Sequence, residues 1–434
     1  MNVLVIGSGA REHTIGWKVS KSSRVKKVLF APGNGGTQLA GYENLKVSIK
    51  DHDKLLRFAT EHGCLTIVGP EEPLANGIVD LFKSNGLRIL GPSRDAARLE
   101  SSKVWAKEFM RRHGIPTAES DVFDEPEAAK DYIARSKKDG GIVVKADGLA
   151  AGKGVVVCNS KEEAYAAVDK MMKDKVFGDA GNRVVLEERL YGEEVSFICM
   201  SDGKHIIPLA TSQDHKRAYD NDGGPNTGGM GAYSPNPMID EKMHEWIMHN
   251  IMQKAIDGLR QEGIEFKGFL YAGLMLVDDK AYVLEFNVRL GDPETQVILP
   301  RLRSDLIEYV EHCIDGTLDE AEDMVWDDRV AVCVVLASKG YPNEYEKGKV
   351  ITGLDKLAGM DDDVLVFHAG TRVIDDCNGR VVTDGGRVLS VVALGNDMSD
   401  AIEKVYTAIN SVYWEGIHYR RDIGRRALRY LLNG

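Results

Sequence analysis

The sequence predicts an α/β and α+β multidomain protein: an N-terminal doubly wound parallel-sheet domain, a two-lobed central region and a small C-terminal mixed α/β domain. Three patterns carry this. Short apolar strands alternate with helical stretches over the first hundred residues, as in a parallel sheet covered on both faces. A glycine-rich segment then lies between two β-branched runs, and the last hundred residues return to short strands with one helix. The 434 residues accommodate roughly three domains at about 150 residues each. Their expected bounds are 1–102, 103–325 with a small unit at about 117–190, and 326–434.

In the first unit, strands are expected at 3–6, 28–31, 65–68 and 88–90, and helices at 12–20, 54–62 and 77–85. Ligands of such sheets bind at the carboxyl ends of the strands. Those ends carry Gly7-Ser-Gly-Ala-Arg-Glu-His13, Ala31-Pro-Gly-Asn-Gly-Gly36 and Gly69-Pro-Glu-Glu-Pro-Leu74. The first is not a dinucleotide fingerprint, because Glu12 stands at the third glycine position and no acid follows the second strand. Gly7, Gly9 and Arg11 at a helix start instead suit a single phosphate, since N–H groups and a helix dipole attract an anion.

A helix is expected at 103–113 after Ser101-Ser102. The stretch Asp147-Gly-Leu-Ala-Ala-Gly-Lys-Gly-Val-Val-Val157 follows. Its Gly148 and Gly152-Lys153 are one residue too close for a Walker loop, and Gly154 stands where the magnesium-binding hydroxyl belongs. β-branched runs on both sides make it a hairpin, able to lay backbone N–H groups over a polyphosphate with charge from Lys145 and Lys153. Ser160-Lys-Glu-Glu163 reads as a capping box opening a helix to about 173. Residues 212–235 are too poor in periodic apolar residues for helix or strand, and a long loop of this kind is expected to be functional. A hairpin turning at Asp278-Asp279 comes next, then C-terminal strands at 330–337, 364–368 and 388–394 and a helix at 400–410.

Composition excludes several classes. A balance of 55 basic against 67 acidic residues, net −12, argues against a nucleic-acid or anionic-membrane surface. Six cysteines without a Cys-x-x-Cys pair fit reduced thiols, and with no signal-like N-terminus the expected address is the cytoplasm.

The chemistry concentrates in Val283-Leu-Glu-Phe-Asn-Val-Arg-Leu-Gly-Asp-Pro-Glu294. On a strand, Glu285, Asn287 and Arg289 share one face while Leu284, Phe286 and Val288 take the other. A carboxylate and an amide oxygen suit magnesium or manganese on ATP phosphates, and Arg289 suits the charge of a transferring phosphoryl group. Glu187, Leu190 and Glu194 offer a strand end for the adenine edge and ribose hydroxyls.

In this order, Lys103, Lys145 with its glycine hairpin, Glu187-x-x-Leu190 with Glu194, and Glu285-x-Asn287-x-Arg289 resemble the ATP-grasp superfamily, in which ATP lies between two α+β lobes. Gly7-Ser-Gly-Ala-Arg-Glu-His13, His215-Lys-Arg-Ala-Tyr-Asp-Asn-Asp222, Gly224-Pro-Asn-Thr-Gly-Gly-Met-Gly231, Arg289-Leu-Gly-Asp-Pro-Glu294 and Tyr419-Arg-Arg-Asp-Ile-Gly-Arg425 together are similar to the phosphoribosylamine–glycine ligases, across essentially the whole chain. Leu290 departs from that family's phenylalanine, and Gly273 stands where some ATP-grasp enzymes carry another acidic metal ligand. The resemblance implies ATP, glycine and 5-phosphoribosylamine as substrates. It puts Glu285 and Asn287 on the metal, with Lys103, Lys145, Gly152, Lys153 and Gly154 on ATP phosphates and Glu187, Leu190 and Glu194 on the nucleoside. Arg289, Asp214 and Asn226 fall at the reacting groups, and Gly9, Arg11, Gly33, Gly291, Asp292 and Pro293 on substrate. The alternatives are another ATP-grasp carboxylate–amine ligase, a biotin-carboxylase-like enzyme, or a non-catalytic nucleotide binder on the same fold.

Overall fold

The first five strands are short and largely buried, as a sheet sandwiched between helices requires. They are β1 (Asn2–Gly7), β2 (Lys27–Pro32), β3 (Glu43–Asn44), β4 (Cys64–Val68) and β5 (Ile89–Leu90), all parallel in the order β3-β2-β1-β4-β5. Strand order reverses beside β1, so the crevice at the ends of β1 and β4 is the topological switch point. The computed structural model describes residues 1–136, 141–149, 154–358, 360, 362–374 and 379–433.

The unit that follows has its own core. It holds β6 (Ser120–Phe123), β7 (Ile142–Ala146), β8 (Val155–Cys158) and β9 (Val184–Glu188), antiparallel in the order β6-β9-β7-β8. Ala129, Ile133, Val144, Val168 and Leu186 pack in a cluster separate from the other cores. β7 and β8 form the expected glycine hairpin; Gly152 and Lys153, between them in sequence, lie outside the described residues. Ser160 caps the helix Lys161–Val168 by accepting the Glu163 N–H, but Glu163 answers to the Asn159 N–H rather than that of Ser160.

A central antiparallel sheet joins β10 (Glu193–Ser201) and β11 (Ile206–Pro208) to a later hairpin. Between them the expectation of no strand over 212–235 is corrected. The segment contains β12 (Gln213–Asp214), β13 (Arg217–Tyr219), β14 (Gly223–Asn226) and β15 (Gly231–Ser234). The later hairpin is β16 (Gly268–Val277) and β17 (Lys280–Asn287), giving the order β11-β10-β16-β17.

β18 (Val330–Ser338), β19 (Val364–His368), β20 (Thr371–Val373), β21 (Val381–Thr383), β22 (Arg387–Gly395) and β23 (Ile417–His418) complete the strands of the described residues. The sheet here runs β12-β15-β18-β22-β19, with β23 also on β18, so β12 and β15 complete a sheet begun far downstream. That pairing explains the corrected expectation: four residues of Gly-Ala-Tyr-Ser have no strand signal of their own and are ordered by burial against β18. No described helix is long and apolar enough to cross a membrane.

Candidate active site

Glu285 sits near the end of β17 among cations from several elements. Burial acts to raise its carboxyl, but Lys216, Lys145, Lys103 and Arg289 outweigh it and hold the pKa down to about 2. Its nearest ion pair is Lys216 Nζ at 3.7 Å, and it accepts no hydrogen bond from the described residues. A bulge opposite Gly273 and Leu274 shapes this end of the strand: Glu285 faces Gly273, Val283 faces Leu274, and Leu284 is the extra residue. The expectation that Leu284 joins the core face is therefore corrected. It is half-buried, and its carbonyl accepts from Lys145 Nζ at 2.9 Å.

The expected strand register also ends early. β17 stops at Asn287, so Arg289 stands beyond the strand rather than in it. Its guanidinium donates to Glu100 at 2.8 Å and to Asn287 Oδ1 at 3.1 Å, and its Nε lies 3.3 Å from Glu71. Burial lifts the Glu100 carboxyl to about 7 in spite of Arg289, with Glu71 and Glu285 adding to the rise.

The lysines come from both sides of the crevice. Glu187, buried at the end of β9, bridges Lys107 at 3.1 Å and Lys145 at 2.9 Å. Burial holds the Lys107 ammonium down to about 8, with Glu187 opposing. Lys103, in the first turn of the helix Lys103–Arg112, donates to the Gly148 carbonyl at 2.9 Å. Asp147 fastens the same junction: it accepts from Ser102 Oγ, the Val104 N–H and Arg183.

Asp214 is buried beside Lys216 and Glu294. Burial, then Glu294, pushes its carboxyl well above the ordinary range. Glu294 accepts from Tyr271 OH at 2.6 Å and Ser196 Oγ at 3.0 Å. Lys216 pairs with Glu194, so that residue reaches the crevice through a lysine of the 212–235 segment. Asn226 lies apart on β14, opposite Arg217, and Leu190 lies just past β9.

The switch point between β1 and β4 differs from expectation. The Gly9 N–H, expected to face a phosphate, donates to the Glu12 carboxylate at 2.6 Å. Arg11 is buried and gives its Nε to Glu12 at 2.6 Å and Nη1 to the Leu290 carbonyl at 3.1 Å. A Cβ on Gly7, Gly9 or Gly69 would run into Glu12, so three glycines make a cradle that this side chain fills. Gly33 turns at φ +71, and Asn34 beside it donates to the Ser8 carbonyl at 2.9 Å and the His368 carbonyl at 2.7 Å. Asp292 lies against Gly9. Arg387 of β22 donates to the Asp292 carbonyl at 2.8 Å and the Gly228 carbonyl at 2.8 Å. Pro293 touches the position a Gly229 side chain would take, and Gly291 leaves room for Glu294.

Sequence reading missed Lys107, Lys216, Glu12, Glu100, Glu294 and Arg387. Of these, Glu12, Lys216 and Glu294 lie inside the Gly7–His13, His215–Asp222 and Arg289–Glu294 motifs, while Glu100 and Lys107 carry no local signal. A separate groove of about 510 Å³, lined by Lys107, Arg111, Pro116, Thr117 and Tyr132, lies along the helix Lys103–Arg112 and does not include Glu285 or Arg289.

The donor set fits a hard divalent ion. Glu285 stays ionised and Asn287 keeps a second lone pair beside its bond from Arg289. With Lys103, Lys145, Lys216 and Arg289 near one carboxylate, a bare cation is disfavoured, whereas one carried on a polyphosphate is neutralised. A four-stranded lid with its own core, a glycine hairpin and buried lysines facing a metal-ready acid on a central antiparallel sheet define an ATP-grasp fold. Solved structures agree on that fold: a biotin carboxylase from Campylobacter jejuni in complex with β,γ-ATP overlays with TM-score 0.71 at 15% identity, covering 100% of this chain and 95% of that one.

The chain belongs to the phosphoribosylglycinamide synthetase family, whose N domain matches residues 1–100, ATP-grasp (A) domain 101–295 and C domain 331–426. It is 50% identical to a phosphoribosylamine–glycine ligase of Ralstonia nicotianae, covering 99% of this chain and 100% of that one. It is 49% identical to the human trifunctional purine biosynthetic protein adenosine-3, covering 99% of this chain and 42% of that one. The crystal structure of a phosphoribosylamine–glycine ligase from Thermotoga maritima overlays with TM-score 0.83 at 37% identity, covering 97% of this chain and 100% of that one.

Proposed function

We propose that this chain ligates glycine to 5-phosphoribosylamine at the expense of ATP, giving glycinamide ribonucleotide, ADP and phosphate in purine synthesis. The observation that carries the reading is the charge arrangement around Glu285: Lys103, Lys145, Lys216 and Arg289 converge on one ionised carboxylate between lid and core. A carboxylate is a poor acyl donor, so a carboxyl oxygen of glycine attacks the γ-phosphorus and ADP leaves. The amine of phosphoribosylamine then attacks the acyl carbon of glycyl phosphate, phosphate departs, and the amine nitrogen loses a proton.

Lys103, Lys145, Gly152, Lys153 and Gly154 hold the ATP phosphates in this scheme. Glu187, Leu190 and Glu194 border the nucleoside. Glu285 and Asn287 hold magnesium or manganese, which when bound neutralises charge on the phosphate oxygens. Arg289 is aimed at the transferring phosphoryl group by Glu100 and Glu71, because its guanidinium is oriented before substrate arrives. Asp214, whose carboxyl burial and Glu294 push upward, lies beside Lys216 at the reacting groups, and the segment reaching Asn226 excludes water from the acyl phosphate.

The switch point takes phosphoribosylamine. Gly9, Arg11, Gly33, Gly291, Asp292 and Pro293 border it, and Glu12 must yield part of its cradle or present itself to the amine. A reducing cytoplasmic address belongs to the same reading; Cys64, Cys158, Cys199, Cys313 and Cys333 are free and buried.

The test is ADP release with magnesium-ATP and glycine, with and without phosphoribosylamine generated in the assay, beside detection of glycinamide ribonucleotide. Amide formation needing all three substrates is expected. ADP release driven by bicarbonate, with no such amide, would overturn the substrate assignment and leave the fold standing.

A further inference from the structure

The C-terminal run Tyr419-Arg-Arg-Asp-Ile-Gly-Arg425 has no part in the scheme above, yet it buries a guanidinium: Arg420 is 1% exposed. Its Nε and Nη2 each donate to Asp422 at 2.8 Å, and its Nη1 reaches Asp222 at 3.0 Å and the Arg217 carbonyl at 3.2 Å. Other bonds from this run go to the same place. Asp422 accepts the Asn221 N–H at 2.9 Å, Asp220 accepts the Arg421 N–H at 2.7 Å, and His418 bonds the Ala218 carbonyl at 2.8 Å. Arg426 adds pairs to Asp222 and Glu193.

Apart from the Arg420–Asp422 and Arg426–Glu193 pairs, these grip one arm, the β13–β14 hairpin. At its tip Asn221 and Asp222 adopt φ of 57° and 53°, a left-handed conformation that side-chain-bearing residues avoid unless surroundings enforce it. At its root, Thr227 donates to the Lys216 carbonyl from N at 2.7 Å and from Oγ1 at 2.9 Å, and Lys216 faces Glu285. The neighbouring Gly228 and Gly229 lie against Arg387 and Pro293. The arm thus spans from the strained tip held by Arg420 to the group that faces the metal-ready acid. Burying a guanidinium to hold an exposed, strained turn is unfavourable for a plain surface hairpin, and such strain persists where a conformation serves a site.

We propose that Arg420 is a positioning residue: through Asp222 it locks the arm 217–226 so that glycyl phosphate is shielded until the amine attacks it. This rests on the ligase reading above. When the arm is loose, water takes the place of the amine, cleaving glycyl phosphate to glycine and inorganic phosphate, and ATP is consumed without amide.

The measurement is ADP and glycinamide ribonucleotide counted in the same reaction of the full chain. The wild-type ratio is expected near unity. Arg420→Ala is expected to raise it about threefold or more while ADP release stays glycine-dependent. Arg420→Lys should be intermediate, because an ammonium cannot make the paired bonds to Asp422. Arg421→Ala, whose exposed side chain lies over Tyr419, should leave the ratio unchanged. A lower melting temperature or slower turnover with the ratio still at unity would make Arg420 merely structural and overturn the proposal. If Arg420→Ala does not fold, Asp222→Asn decides, since it keeps the Arg420–Asp422 pair: a raised ratio supports the proposal and unity sinks it. Wild-type ADP release that ignores glycine would overturn the ligase reading itself.

Discussion

Arg289 and Glu100 meet at 2.8 Å across nearly half the chain, and the same Glu100 carboxylate accepts the Val288 N–H at 2.8 Å. One buried acid therefore sets both the backbone before Arg289 and the direction of its guanidinium. Arg289→Ala should lower turnover about 100-fold or more while ATP affinity changes little, because the group acts on charge that develops in the reaction. Isothermal titration with ATP and single-turnover kinetics separate the two; equal losses in both would reduce Arg289 to a binding residue. The variant also leaves Glu100 buried without its partner, at a cost of about 3 kcal/mol. Adding Glu100→Gln should recover part of that stability and none of the activity.

Glu285→Gln keeps the size of the side chain and removes its charge. A sharp fall in turnover, about 100-fold, is expected together with a higher magnesium requirement. Magnesium titrations of both proteins check this, and superimposable curves would remove Glu285 from the metal.

Glu187→Gln strips the shared acid from Lys107 and Lys145. The KM for ATP should rise by about tenfold with the KM for glycine unmoved, since Lys145 loses the partner that holds it at the crevice. A change confined to glycine would place Glu187 elsewhere in the reaction.

Three buried histidines predict the acid limb of stability. Burial holds His13 down to about 3, with His368 adding to it; His368 itself is held to about 4, and His215 to about 3 by burial and then Arg420 and Arg426. Each binds a proton in the unfolded chain below about pH 6.5 and none in the fold, so stability is complete above that pH and falls as pH drops toward 4. Urea midpoints at pH 7.5 and 5.0 should differ, with His215→Gln narrowing the gap. A midpoint independent of pH over this span would contradict the buried neutral state.

Gly9→Ala places a methyl group 2.7 Å from Glu12 Oε2 and 3.3 Å from Asp292 Oδ2. Weaker phosphoribosylamine binding is expected, by about tenfold in KM, with ATP affinity retained. Loss of ATP binding instead would move the switch point out of the amine's site.

Much was legible because it is local. The strand–helix alternation of residues 1–90, the glycine hairpin around Gly148 and the β16–β17 turn at Asp278-Asp279 each follow from backbone periodicity and turn chemistry within a few residues. Glu285 and Asn287 also stood out, since alternate polar residues on an apolar strand mark one face. Local pattern therefore set most elements outside 212–235 and the residue types that carry charge. Tertiary structure alone decided that Lys216 reaches Glu285, that Glu100 orients Arg289, that Glu12 fills the cradle shared with Gly69, and that β12 and β15 join β18. Those relationships link residues far apart in the chain, and they exist because a buried charge must find a partner and a buried strand edge must find a ladder.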